Sequence, residues 1–210
     1  MPRDAVLHRV RTALGRGARA PIPDPPPARI RIPEVDLESR IASFRTRIEA
    51  LAGETCLAPS PEQARAAVAA AVEGKTAVAS NAPFLAECGI PGLAGVRSGI
   101  TDPAELRRQC AAADVGITSA DYALADTGTL VMLSSLQEAR LVSLLPPAHI
   151  AVVPRGRILT GLDELFSLLP RPAEQTSSMV LITGPSRTAD IEQILVRGVH
   201  GPGRVTVVIV

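Results

Sequence analysis

Apolar positions recur along this chain in two rhythms. In the first, Val6, Leu7, Val10 and Leu14 fall three, four and seven residues apart, predicting a short amphipathic helix over residues 4–15. Leu37, Ile41, Phe44, Ile48 and Leu51 form a second helical stripe. Ser60-Pro61-Glu62 opens an Ala-rich helix with Ser as N-cap and Pro in the first turn, and this helix ends near Gly74. Asp102-Pro103 starts another that runs through Cys110. The other rhythm is the short apolar run. TCLA (55–58), TAVAS (76–80), VGIT (115–118) and TLVML (129–133) read as strands. HIAVVP (149–154), SMVLIT (178–183) and VTVVIV (205–210) show no polar alternation, the pattern of strands covered on both faces. A final helix is expected over 187–197. The fold class is therefore α/β: an open mixed or parallel sheet flanked by helices over residues 36–210. Residues 1–35 form an N-terminal helical arm whose PIPDPPP stretch (Pro21–Pro27) is a stiff, extended spacer. The arm is expected to pack on a partner or on a second copy of the chain.

Composition narrows the chemistry. Of 210 residues, 46% are hydrophobic and only 2% aromatic, so the core is aliphatic and no base-stacking platform for single-stranded nucleic acid is available. The net charge of +1 gives no bulk attraction for polyanions, although residues 1–47 hold ten Arg against five acids. Lys75 is the one lysine, which makes Schiff-base chemistry a poor fit. Cys56, Cys88 and Cys110 lack metal or cluster spacing, and an odd count fits a reducing compartment. The start lacks the apolar core of a secretory signal, and no run approaches the length of a membrane span. A cytoplasmic protein without a membrane span is the expectation.

Two polar segments sit at strand ends, where open α/β sheets place ligands. In the first, Asp121 follows a strand, and Thr127-Gly128-Thr129 forms a tight turn with two hydroxyls. Those hydroxyls serve either a ligand or their own backbone. In the second, Gly184, Ser186, Arg187, Thr188 and Asp190 lead from a strand into the expected last helix. Free N–H groups and a positive dipole end beside a guanidinium suit a carboxylate or phosphate. Asp190 and Glu192 serve equally well as ordinary capping acids. His149 opens a strand and His200 sits in Gly198-Val-His-Gly-Pro202; each is either a general acid/base or a hydrogen-bonded structural residue. Dinucleotide and Walker motifs are absent from the sequence.

GITSADYALADTGTLV, SLLPPAHIAVVP and TGPSRTADIEQILVRGVHGP, in that order, resemble the LUD domain of the lactate utilisation protein C family, most strongly over 115–210. The resemblance implies a fold of the sugar-phosphate isomerase and CoA-transferase-like group. It also implies a role in oxidising L-lactate to pyruvate with two iron–sulfur sister proteins, whose clusters lie in those partners. The family's motif positions fall on Thr127, Gly128 and Thr129, on Gly184, Ser186, Arg187, Thr188 and Asp190, and on His200 and Gly201. In the wider group a glutamate attacks an acyl thioester, and Glu138 is the nearest analogue here. A non-redox subunit binding a small organic acid or other anion is the first expectation. A stand-alone CoA-transferase-like or sugar-phosphate-acting enzyme is the alternative.

Overall fold

The computed structural model describes residues 2–16, 31–188 and 196–210. The chain divides into two units, residues 1–31 and 32–210. The first contributes helix α1 (Arg3–Ala13), which buries none of its side chains and leaves Val6, Val10 and Leu14 exposed. The Pro21–Pro27 spacer lies outside the described residues.

The second unit runs α2 (Leu37–Ala50), β1 (Glu54–Leu57), α3 (Pro61–Val72), β2 (Ala77–Ala79), α4 (Pro83–Glu87), β3 (Val96–Arg97), α5 (Pro103–Ala112) and β4 (Val115–Ser119). It continues with β5 (Tyr122–Leu124), β6 (Thr129–Leu133), α6 (Arg140–Leu144), β7 (Ala148–Val153), β8 (Ile158–Leu159), α7 (Leu162–Leu168) and α8 (Pro172–Gln175). β9 (Met179–Ile182), β10 (Arg187–Thr188), β11 (Val196–Arg197) and β12 (Arg204–Ile209) complete it. Helix starts follow local chemistry. Asp36, Ser60 and Asp102 each accept a backbone N–H at the start of α2, α3 and α5, and Pro61 and Pro103 occupy the first turns of the last two.

Six strands form a wholly parallel sheet in the order β1-β12-β7-β4-β2-β3. Its centre is buried on both faces, which explains the unbroken apolar runs of β7 and β12. Ile150 and Val152 of β7 pack with α3 and α4, whereas Ala151 and Val153 face Ile41, Phe44 and Ile48 of α2. A second, four-stranded sheet, β8-β5-β6-β9, covers the same face as α2. Its far side holds Leu124, Val131 and Leu159 against Leu165 of α7.

Two expectations need correction. The SMVLIT run does not join the central sheet: β9 lies antiparallel to β6 at the edge of the second sheet, with Leu181 44% exposed. Nor does a helix begin at residue 187. Arg187 and Thr188 pair antiparallel with Arg197 and Val196, the Ser186 N–H donates to Pro202 O, and the Gly198 N–H donates to Ser186 O. The Ser186 amide, which a helix start would leave free, is thus bonded to Pro202 O. Residues 189–195, with Asp190 among them, lie outside the described residues.

Gly116 fixes how closely α6 approaches the sheet, because a Cβ there would lie 1.9 Å from the Val142 carbonyl oxygen. Gly116→Ala is expected to cost about 1–3 kcal/mol or more, since backbone must move. Gly156→Ala, with nothing within 4 Å of its Cβ position, should stay within about 0.5 kcal/mol of wild type. Urea unfolding midpoints of the two variants check this contrast.

Candidate functional site

Parallel strands end on one rim of the six-stranded sheet, and a cleft of about 720 Å³ opens there. It lies beyond Ser80 after β2, Ser119 at the end of β4 and Pro154 after β7, the position that open α/β sheets use for ligands. Its walls bring together Ser119, Asp121, Tyr122, Gln137, Glu138 and Arg157.

Glu138 is placed by its loop. The Ser135 hydroxyl accepts the Gln137 and Glu138 N–H groups, and the Asn81 N–H donates to Gln137 O, tying the loop to the chain leaving β2. The Glu138 side chain is buried, with Oε2 accepting from Ser80 Oγ at 2.7 Å and from the Ser119 N–H at 3.1 Å. Its Oε1 is buried and unpartnered among the described residues. Burial pushes the carboxyl up to about 8, against the two hydrogen bonds, and the nearby Asp121 charge adds to the rise. Glu138 is therefore protonated at neutral pH. The Ser80 hydroxyl, 2.7 Å from Oε2, can accept that proton.

Asp121 is half-buried. Burial raises its carboxyl above the usual range, opposed by the Leu133 N–H on Oδ2 at 2.6 Å, by its own backbone and by the positive charge of Arg157. Arg157 is exposed; its guanidinium lies 5.3 Å from the Tyr122 ring centroid, and Nη1 donates to the Tyr122 hydroxyl at 3.3 Å. Arg157, Ser80, Ser119 and Tyr122 were not singled out in the sequence. Their signal is positional, since each lies at or just beyond the end of a parallel strand or at the start of β5.

The other sequence candidates fall elsewhere. Thr127, Gly128 and Thr129 form the β5–β6 turn, where Gly128 (φ +68°) would place a Cβ 2.5 Å from the Ile48 nitrogen of α2. Thr129 Oγ1 lies 2.8 Å from Thr127 Oγ1 and 3.0 Å from Thr183 Oγ1, so these hydroxyls satisfy one another. Gly184 meets Leu51, and Arg187 donates to the Leu51 carbonyl oxygen. A cation at the carbonyl end of α2 is a favourable helix cap. Thr188 sits in the β10–β11 ladder. Gly184, Ser186, His149 and His200 surround a smaller cavity of about 190 Å³. His149 is fully buried, with Nε2 2.7 Å from Thr118 Oγ1, and burial lowers its pKa to about 4. It therefore stays neutral near pH 7, which disfavours its use as a proton carrier there.

Cys88 and Cys110 are buried free thiols, and Cys56 is partly buried. Among the described residues no group of three or more His, Cys, Asp and Glu side chains is disposed to hold a metal ion, and no helix is long and apolar enough to cross a membrane.

An open parallel sheet flanked by helices, with a polar cleft at its strand ends, defines the class as α/β. The LUD domain matches residues 41–210, and the chain belongs to that family. It is 40% identical over 114 residues to lactate utilization protein C of Halalkalibacterium halodurans, covering 52% of this chain and 50% of that protein. It is 39% identical over 116 residues to lactate utilization protein C 1 of Bacillus mycoides, covering 53% and 50%. The chain thus matches about half the length of these curated relatives. A crystal structure of a DUF162 family protein from Deinococcus radiodurans superposes with a TM-score of 0.64 at 20% identity, covering 84% of this chain and 99% of that one, and supports the fold.

Glu138 also sets a pH dependence. Between about 4.5 and 8 the folded chain holds a proton that the unfolded chain lacks, so this residue lowers stability as pH rises through that window. His149 acts oppositely between about 6.5 and 4, where the unfolded chain holds the extra proton and stability falls on acidification. Glu138→Gln should therefore be more stable than wild type above pH 8, with the advantage shrinking toward pH 5. Urea titrations at unit pH steps measure it.

Proposed function

We propose that this chain is a non-redox component of a lactate-utilising system, and that the strand-end cleft holds its organic-acid ligand. The observation that carries this reading is the pairing of a neutral, buried Glu138 with the exposed Arg157 in one cleft. Arg157, steadied by Tyr122, offers the ligand carboxylate a planar fork of donors. Glu138 then gives a proton to a hydroxyl or carbonyl oxygen of the ligand, and a carboxyl near 8 is well matched to giving and retaking a proton at neutral pH. Lactate utilisation itself rests on the names of the relatives. Iron–sulfur partner proteins, which the family resemblance implies, would carry the electrons.

A second reading, an acyl-transferring or sugar-phosphate-acting enzyme, is favoured by the size of the cleft. A volume of about 720 Å³ far exceeds a three-carbon acid and suits a ligand bearing a larger carrier group. Against it, a carboxyl protonated at neutral pH is a poor nucleophile, so Glu138 suits proton donation better than attack on a thioester.

Calorimetry of the full chain with L-lactate and pyruvate tests the first reading. Saturable binding is expected, weakened about ten-fold or more by Arg157→Leu, which removes a charge-assisted contact of roughly 1.5–3 kcal/mol. Growth on lactate of a deletion strain complemented with Arg157→Leu should fail. Binding and growth both unchanged in this variant would refute the assignment. Turnover of an acyl-CoA by the purified chain alone, lost in Glu138→Gln, would establish the second reading in its place.

A further inference from the structure

Parallel pairing puts the walls of the strand-end cleft in a definite order. β7, β4 and β2 are successive neighbours in the sheet, so their ends follow one another along the rim. Pro154 and Arg157 lie beyond β7, Ser119 and Asp121 at and just past the end of β4, and Ala82, Pro83 and Phe84 beyond β2. Neighbouring strands stand about 4.8 Å apart, so the first and last of these groups are separated by roughly 10 Å along the rim. A three-carbon acid, built on C–C bonds of about 1.5 Å, measures only about 5 Å from end to end. With its carboxylate at Arg157, such an acid leaves the β2 end of the cleft unfilled.

That end is apolar. Phe84 is half-buried and packs against the cluster that α3 and α4 form on the central sheet. Leu133 and Leu169 belong to a different cluster, the one beneath α7, and line the same cleft. Two separately packed apolar walls therefore border one opening, and Phe84 and Leu133 each keep part of their surface uncovered. An aliphatic or aromatic group placed there removes apolar area from water on ligand and protein alike. Glu87, exposed at the end of α4, adds a negative charge to this wall, which opposes a second carboxylate on the ligand.

We propose that the cleft prefers, over lactate itself, a monocarboxylic 2-hydroxy or 2-oxo acid bearing a branched aliphatic or aromatic side chain. This rests on the assignment of the cleft to an organic acid and deepens it. Arg157 takes the carboxylate, Glu138 the oxygen on the second carbon, and Phe84 with Leu133 the side chain. The range of acids served by the system then reaches beyond lactate.

Calorimetry of the full chain with L-lactate, L-2-hydroxy-4-methylpentanoate and L-2-hydroxyglutarate tests this. The branched acid should bind about ten-fold or more tighter than L-lactate, because its longer side chain leaves water. L-2-Hydroxyglutarate, of similar length but with a second carboxylate, should bind no tighter than L-lactate. Phe84→Ala should shrink the ratio of the two monocarboxylate affinities to about three-fold or less. A loosened fold would instead weaken both acids alike and leave that ratio in place. The wild-type series decides by itself should Phe84→Ala fail to fold. Equal binding of the two monocarboxylates, equally tight binding of the branched acid and the dicarboxylate, or a ratio unchanged in Phe84→Ala each overturns the proposal. Where the acids that bind still weaken in Arg157→Leu, the organic-acid reading of the cleft survives that failure. Binding of none of the three acids overturns both.

Discussion

Because β2 and β4 run parallel, their last residues present polar groups at the same rim, and Glu138 reaches from the β6–α6 loop to bond both. Its Oε2 holds Ser80 Oγ beyond one strand and the Ser119 N–H at the end of the other. That bridge shapes the cleft. It also sets the chemistry, because the burial that lets one carboxyl span two strands keeps it protonated, and a protonated carboxyl can face a ligand anion without repelling it. A charged carboxylate at this depth would need a buried counterion, and the one cation among the described cleft walls, Arg157, sits exposed against Tyr122. The proposed carboxylate ligand is therefore compatible with a protonated Glu138.

The residues most recognisable as family motifs gather at the carbonyl end of α2. Gly128 permits the β5–β6 turn to press on the backbone of α2, Gly184 lies against Leu51, and Arg187 donates to the Leu51 carbonyl. Thr129 and Thr183 join the turn to the chain leaving β9. Together they anchor the carbonyl end of α2, whose Ile41, Phe44 and Ile48 fill the layer between the two sheets. At Gly128 backbone approaches backbone too closely for a side chain, since a Cβ there would lie 2.5 Å from the Ile48 nitrogen.

Much of the architecture was legible from residue pattern. TLVML matches β6 residue for residue, and the capping signals at Ser60-Pro61 and Asp102-Pro103 open helices where the chemistry says they should. What misled was periodicity without context. SMVLIT and HIAVVP are equally apolar, yet only the second has neighbours on both faces, and a run cannot reveal which sheet it joins. At Ser186-Arg187-Thr188 the residues suit a helix N-cap, but antiparallel pairing with Val196 and Arg197, eight to ten residues further on, claims the backbone first. Strand pairing within this short stretch overrode a capping preference. For the site, Asp121 and Glu138 were visible as isolated acids. Arg157 was not, because its meaning comes from lying beyond β7, next to strands far away in sequence.

The buried Glu138 and His149 answer to one constraint. Glu138 and His149 sit within one α/β unit, and near pH 7 both are neutral for the same reason, the cost of charge in an aliphatic interior. Glu138 is held through Oε2 by Ser80 and the Ser119 N–H, and His149 through Nε2 by the Thr118 hydroxyl. One stands at a wide polar cleft beside an arginine, the other at a smaller cavity with no arginine or lysine among its described walls. The same constraint, burial that strips charge from a group held by one hydrogen-bonded atom, operates at both places.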